Sequence, residues 1–367
     1  AHGGRSTSLE HPMISNPQPA DENDLSARLA QGTVLVAEGY LFELERRGYL
    51  QAGAFVPEVV LEHPEMVTGL HREYVHAGSD AVVAFTYYAH REKMALVGRE
   101  QDLETINRAG LRLAREVARE TGTLFAGDIC NTNIFNPDDA QSVRAVRAMF
   151  DEQVAWAVDE GVDYLIAETF SWTGEAELAL AAAKAAGLTT VVTFAIHAED
   201  RTRDGFDPID ACKVLVDAGA DVVGLNCTRG PVTMLPYLPG LVAAVGVPTA
   251  ALPVAYRTDH EHATFQSLAD HGIAAEDLPA GRSFPTALDP FTATRYEMGR
   301  FAREAAAIGV RYIGGCCGTA PHHIRAMAEA LGRHPPASRF SADMSKHYAL
   351  GTAPRLKQQN QAYVSKL

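Results

Sequence analysis

Eight short β-rich runs alternate with longer amphipathic stretches over most of this 367-residue chain, and that alternation leaves few folds open. The runs fall at 34–37, 81–85, 124–126, 163–167, 190–195, 222–225, 247–252 and 311–313. Helical periodicity fills 57–77, 103–120, 141–160, 174–186, 209–218, 292–308 and 321–331. Strands alternating with helices build a parallel sheet, and runs apolar on both faces suit strands covered inside and out. Glycines at 78, 122, 161, 187, 219 and 309 stop the helices shortly before the next strand. The rival architecture, an open doubly wound sheet, carries a Gly-rich phosphate loop after its first strand, and Glu38-Gly39-Tyr40 is not one. The expected fold is therefore α/β: a single (β/α)8 TIM barrel over 25–335, with a short C-terminal extension at 336–367 that is a candidate homo-oligomer contact. Residues 1–24 read as an expression remnant followed by a flexible N-terminus. Residues 256–290 form a long irregular stretch rich in Asp, His and Pro, and such loops are usually functional or disordered.

A formal net charge of −14 repels phosphate backbones, which argues against nucleic-acid binding. No apolar run approaches the roughly 18 residues that span a bilayer, and no secretion signal is apparent, so a cytoplasmic location is expected. Five cysteines are too few, and odd in number, for a disulfide framework in a chain of this size.

The chemistry concentrates in two segments, Gly224-Leu225-Asn226-Cys227 and Gly314-Gly315-Cys316-Cys317-Gly318, at the ends of the sixth and eighth expected strands. The C-terminal ends of barrel strands open on one face, where active sites sit, so the fold would gather Cys227, Cys316 and Cys317. Adjacent side chains on extended backbone point to opposite faces; the conformational freedom of Gly314, Gly315 and Gly318 would let the tandem pair reach one ion. Three thiolates on Zn2+ leave one tetrahedral position for substrate, the catalytic form of such a site. A metal-bound thiol loses its proton, and three anionic ligands polarise water less than neutral histidines would. Thiol alkylation is expected ahead of hydrolysis. The competing readings are packed thiols and a vicinal disulfide, the latter disfavoured in a reducing cytoplasm. Cys130 and Cys212 read as packing residues. His260, His262 and His271 read as loop surface, and His322-His323 as the opening of the last helix after Pro321.

Around these cysteines run longer motifs: Glu43-Leu44-Glu45-Arg46-Arg47-Gly48-Tyr49, Phe85-Thr86-Tyr87-Tyr88-Ala89, Leu165-Ile166-Ala167-Glu168, Ala293-Thr294-Arg295-Tyr296, and the whole of 309–318. On them the sequence resembles the zinc-dependent homocysteine S-methyltransferases, most closely their betaine–homocysteine branch, over about residues 32–337. The resemblance implies that Cys227, Cys316 and Cys317 hold zinc. It implies that Glu38 contacts the amino group of homocysteine, with Gly39 offering backbone, and that Glu168 plays a second polar role there. Tyr88 matches a tyrosine that lines the methyl-donor site and approaches the metal when homocysteine is absent. Phe55 matches an aromatic that packs on the donor's quaternary ammonium, with Tyr87 as a neighbour.

The sequence departs from that pattern at identifiable places. Glu38-Gly39-Tyr40 stands where the family carries Asp-Gly-Gly, and a gap-free match puts the acidic position at Ala37. Phe55 replaces a tryptophan, and Thr169 stands where the betaine enzymes carry a tyrosine. The expected reaction is methyl transfer from glycine betaine or a related betaine to homocysteine, giving methionine. The alternatives are a sulfonium donor of the S-methylmethionine or dimethylsulfoniopropionate type, and a non-catalytic zinc-binding protein. Under the last, Glu38 and Glu168 are ordinary strand-end charges and the aromatics are plain core.

Overall fold

A computed structural model describes residues 24–366, so the expected N-terminal segment lies, apart from Asp24, outside the described residues. Eight strands form one parallel sheet: β1 (Val34–Ala37), β2 (Ala81–Val83), β3 (Leu124–Cys130), β4 (Tyr164–Phe170), β5 (Thr190–Phe194), β6 (Val222–Asn226), β7 (Thr249–Leu252) and β8 (Tyr312–Gly315). Their order is β1-β8-β7-β6-β5-β4-β3-β2. The seam between β1 and β2 is bridged at its base, where Asp80 N–H donates to Leu35 O and the Asp80 carboxylate accepts from Leu35 N, each at 2.7 Å. The sheet thus curls into a nearly closed barrel. Every strand residue is buried, as runs apolar on both faces require.

Helices cover the outside where periodicity places them, among them Leu103–Thr121, Ala140–Glu160, Thr173–Ala185, Pro208–Asp217, Arg295–Ile308 and Pro321–Ala330. The expected helix over 57–77 divides into Val59–Glu62 and Pro64–Ala77. Proline at position 64 drives the residue before it out of helical geometry, and His63 sits at φ −142°, ψ 59°. Between β6 and β7 the chain forms two short helices, Pro231–Met234 and Leu238–Ala244. No helix among the described residues is long and apolar enough to cross a membrane.

Two strand ends shape the mouth of the barrel. β3 continues past Ala126 to Cys130, although Gly127 and Asp128 are poor strand formers, because it is paired with β4 as far as Glu168. β8 extends to Gly315, paired with Ala37 of β1. That pairing is close: a Cβ on Gly314 would lie 2.2 Å from the Val36 carbonyl oxygen and 2.8 Å from Leu252. Gly314→Ala should therefore force the β1–β8 seam apart and lower the unfolding free energy by about 1–3 kcal/mol, read from denaturant titration.

Candidate metal centre and active site

Cys227 follows directly on β6, and it sits with Thr228 in left-handed backbone, at φ 55° and 48°. Side chains rarely adopt that region, and the excursion persists because its neighbours over-determine it. Cys227 N–H donates to Leu252 O at 3.0 Å. At the end of β8 the chain turns over 316–319, closed by Thr319 N–H to Cys316 O at 3.0 Å. Cys316 N–H donates to Pro253 O at 2.9 Å and Ala255 N–H to Cys317 O at 3.0 Å, pinning this turn to the segment after β7.

The tandem cysteines converge because they occupy a turn. Only Gly318, at φ 78°, uses the conformational freedom expected of all three glycines. Gly314 and Gly315 belong to β8, and what they supply is space: a Cβ on Gly315 would lie 2.3 Å from the Thr319 hydroxyl.

The sulfurs of Cys227 and Cys317 are 3.7 Å apart and those of Cys316 and Cys317 3.9 Å. All three Sγ atoms lie within 4.8 Å of one another. Tetrahedral zinc with Zn–S of about 2.3 Å demands S···S separations of about 3.8 Å, so the donor set fits the ion in both chemistry and spacing. Thiol contacts from Cys316 and Cys317 pull the Cys227 pKa well below an ordinary thiol, while the same sharing with Cys227 pushes Cys316 and Cys317 up. Three such neighbours ionise together only around a cation.

Two chambers meet at this cluster. The inner one, about 20 Å³, is lined by Glu38, Asp128 and Glu168 together with Tyr40, Tyr87, Cys316 and Cys317. That is room on the order of one water- or ammonium-sized group. Alternation along β3 and β4 turns Asp128 and Glu168 the same way, into the barrel, and Glu38, one residue past the end of β1, joins them at the chamber. Both Glu38 oxygens and Asp128 Oδ1 are buried without a hydrogen-bond partner. Glu168 Oε2 accepts from Asn226 Nδ2 at 2.5 Å and from Thr169 Oγ1 at 2.9 Å. Burial raises all three pKa values: Glu168 is pushed up to about 8, and the Glu168 charge further raises Glu38 and Asp128. One Glu38 oxygen, one Glu168 oxygen and Cys316 Sγ also fall within 4.8 Å of one another. Gly39 lines neither chamber; its missing side chain makes room for Thr319 O, which a Cβ would meet at 1.9 Å.

The outer chamber, about 180 Å³, opens beside Cys227 and Cys317 and is walled by Phe55, Tyr87, Tyr88, Phe265 and Phe284. The Phe265 and Phe284 rings meet edge-on at 5.0 Å, and Phe42 joins Phe55 to Phe265 at 6.0 and 5.9 Å. Phe55, Tyr88 and Thr169, like Cys227, have positive φ. Thr169 lines the chamber with its side chain tied to Glu168 and Asn226. The remaining wall includes Asn131, Asn133, Ser171, His197 and Arg203.

Several of these residues escape a reading of the sequence. Asp128 falls beyond the apolar run that marks β3. Phe265 and Phe284 sit in the irregular 256–290 stretch, whose length was the only signal. Asn226 adjoins Cys227 and links Glu168, Thr169 and, at 3.9 Å, Cys316 Sγ. Cys130 and Cys212 are buried, and neither belongs to the group of three clustered thiols.

The chain is similar to known proteins in both sequence and fold. The homocysteine S-methyltransferase family matches residues 25–331. The betaine–homocysteine S-methyltransferase 1 of Danio rerio is 40% identical over 312 residues, 83% of this chain and 74% of that protein. The S-methylmethionine–homocysteine S-methyltransferase of Pongo abelii is 37% identical over 355 residues, 93% of this chain and 90% of that one. In fold, the chain matches the metallated form of the homocysteine methyltransferase MmuM from Escherichia coli with a TM-score of 0.64 at 22% identity, covering 83% of this chain and 99% of that one. With its barrel, its cysteine cluster and these matches, the chain belongs to the homocysteine S-methyltransferase family.

Proposed function

We propose that the protein transfers a methyl group from a betaine-type quaternary ammonium donor to the sulfur of homocysteine, with zinc held by Cys227, Cys316 and Cys317. The observation that carries this reading is a cluster of thiols at tetrahedral zinc spacing, set between a chamber of buried carboxyls and one of aromatic rings. When bound, zinc would supply a Lewis-acid centre that lowers the pKa of a substrate thiol.

The protein's own groups do the rest. Glu38, Asp128 and Glu168 receive the ammonium of homocysteine, which satisfies carboxylate oxygens otherwise left without partners. Asp128 here makes up for the acidic position that Ala37 vacates. Asn226 orients Glu168 by a 2.5 Å hydrogen bond. Phe55, Tyr88, Phe265 and Phe284 surround the onium group of the donor, whose charge the ring faces favour. Tyr87 belongs to both chambers, so acceptor and donor share one rigid partition. Holding both substrates makes the displacement effectively unimolecular. The thiol first releases its proton to solvent; the C–S bond then forms as the C–N bond breaks, the C–N electron pair leaving on nitrogen, and methionine and a tertiary amine result. A sulfonium donor is the second reading, favoured by the relative named for S-methylmethionine that spans 93% of this chain.

Methionine formation from homocysteine, assayed against a panel of betaines and sulfonium compounds, tests the reaction. We expect turnover with glycine betaine, and a panel with no methionine from any donor would overturn the reading. Cys227→Ala, Cys316→Ala and Cys317→Ala should each lower zinc content below one per chain and cut activity by more than about 100-fold, since losing even an outer partner of a metal ligand costs about 10–100-fold. X-ray absorption should gain a zinc–sulfur bond when homocysteine is added. A bystander zinc protein would show no change.

Asp128→Asn should raise the KM for homocysteine by roughly 10-fold, the worth of one charged hydrogen bond, with a smaller effect on the KM for the donor. The same carboxyls set a pH dependence. Folding raises their pKa values, so above the usual carboxylate range the folded, metal-free protein keeps protons that the unfolded chain has released. Their contribution to stability is therefore greatest on the acid side and falls as pH rises toward about 8. The melting temperature of metal-free protein should decline across that window, and Asp128→Asn should flatten the slope.

A further inference from the structure

The outer chamber has a polar edge that the aromatic wall does not explain. Arg203 and His197 line it, both from the loop between β5 and the helix Pro208–Asp217. The loop is held in place. Arg203 N–H donates to Ser171 O at 2.7 Å, and His197 Nε2 lies 3.0 Å from Ser171 Oγ. On one side of Arg203, the buried Thr202 hydroxyl accepts from Phe206 N–H at 3.0 Å. On the other, the Asp204 carboxylate accepts from Thr173 and Gly174 N–H at 3.0 Å each, capping the helix Thr173–Ala185.

The Arg203 guanidinium itself has no such commitment. Asp200 is taken by Arg229 and by the Tyr237 hydroxyl at 2.5 Å. Glu175, whose pKa burial raises against the opposing pull of Thr132 and the Arg203 charge, accepts from Thr132 N–H at 2.8 Å and Thr132 Oγ1 at 2.6 Å. Among the described residues, no carboxylate lies within ion-pairing distance of Arg203, and none lines the outer chamber. The inner chamber, in contrast, holds three. A guanidinium fork without a partner, facing a chamber without acids, is built to receive a carboxylate.

Resting on the methyl-transfer reading, we propose that Arg203, assisted by His197, binds the carboxylate of the methyl donor. The donor class is then a zwitterion, an onium centre among the aromatic rings and a carboxylate at Arg203, with no further ammonium. A donor that carries its own α-ammonium, as S-methylmethionine does, brings a cation for which this chamber has no acid to offer. Glycine betaine and dimethylsulfonioacetate fit; trimethylsulfonium lacks the recognised group.

The test compares kcat/KM for glycine betaine with kcat/KM for trimethylsulfonium in the zinc-loaded wild type and in Arg203→Ala, Arg203→Gln and Arg203→Lys. The betaine-to-trimethylsulfonium ratio should fall at least about tenfold in the Ala and Gln variants, mainly through the KM for betaine, and recover in part in Arg203→Lys. An unchanged ratio, including an equal loss with both donors, overturns the proposal. A second measurement separates its failure from failure of the methyl-transfer reading. Calorimetry with 3,3-dimethylbutanoate, the uncharged-carbon analogue of betaine, reads carboxylate binding without turnover. Binding at least about tenfold weaker in Arg203→Ala than in wild type supports the Arg203 assignment even if no donor yields methionine. Equal binding, or none by the wild type, refutes it.

Discussion

Thiols at 3.7 and 3.9 Å do not all ionise without a cation between them, and much of the barrel mouth serves to hold them that close. The hold comes from backbone. Leu252 and Pro253 carbonyls at the end of β7 accept from Cys227 and Cys316, one on each side, so the strand lying between β6 and β8 sets the distance across which the sulfurs meet. Side chains alone, free to rotate, would relax apart. Fixed main-chain anchors spend no further entropy when a metal arrives.

From that cluster outward the charge divides. Carboxyls lie inside the barrel, rings and a guanidinium outside, and the sulfurs with Tyr87 form the partition. A thiol amino acid and an onium acid have complementary requirements: one presents an ammonium to bury, the other a carboxylate to hold. On the proposed assignment, segregating acids from bases across a partition would sort the two substrates by charge before any reaction and discourage either from entering the other's place. Burial amplifies the sorting, because an unpaired charge in such a chamber costs more than it would in water.

Backbone strain marks the same region. Phe55, Tyr88, Thr169 and Cys227 all take left-handed geometry that non-glycine residues usually avoid, and all four line the outer chamber. Each such residue costs on the order of 1–3 kcal/mol, which the surrounding hydrogen bonds must offset. Thr169 has Asn226 Oδ1 on its amide at 3.0 Å, and Tyr88 has its amide on Cys130 Sγ at 3.2 Å. Buried Cys130 thereby helps hold a tyrosine of the outer chamber in position.

Patterning in the chain was enough to determine the barrel, since strands buried on both faces must be apolar along their length, and helices covering them must repeat every 3.6 residues. It was enough for the convergence of three thiols too: a cysteine at one strand end and a glycine-flanked pair at another meet at the mouth of a parallel barrel. Glu38 and Glu168 were legible for the same reason, standing where strands end. The strand register and the loops were not legible. Asp128 lies on a stretch whose local preference is against strand, and only pairing with β4 turns its carboxyl inward. Arg203, Phe265 and Phe284 come from loops of no periodicity, where linear distance says nothing of which cavity a side chain lines. Local preference and burial act residue by residue and can be read in order along the chain; convergence of distant loops on one chamber depends on the closed geometry of the barrel, which no single segment encodes.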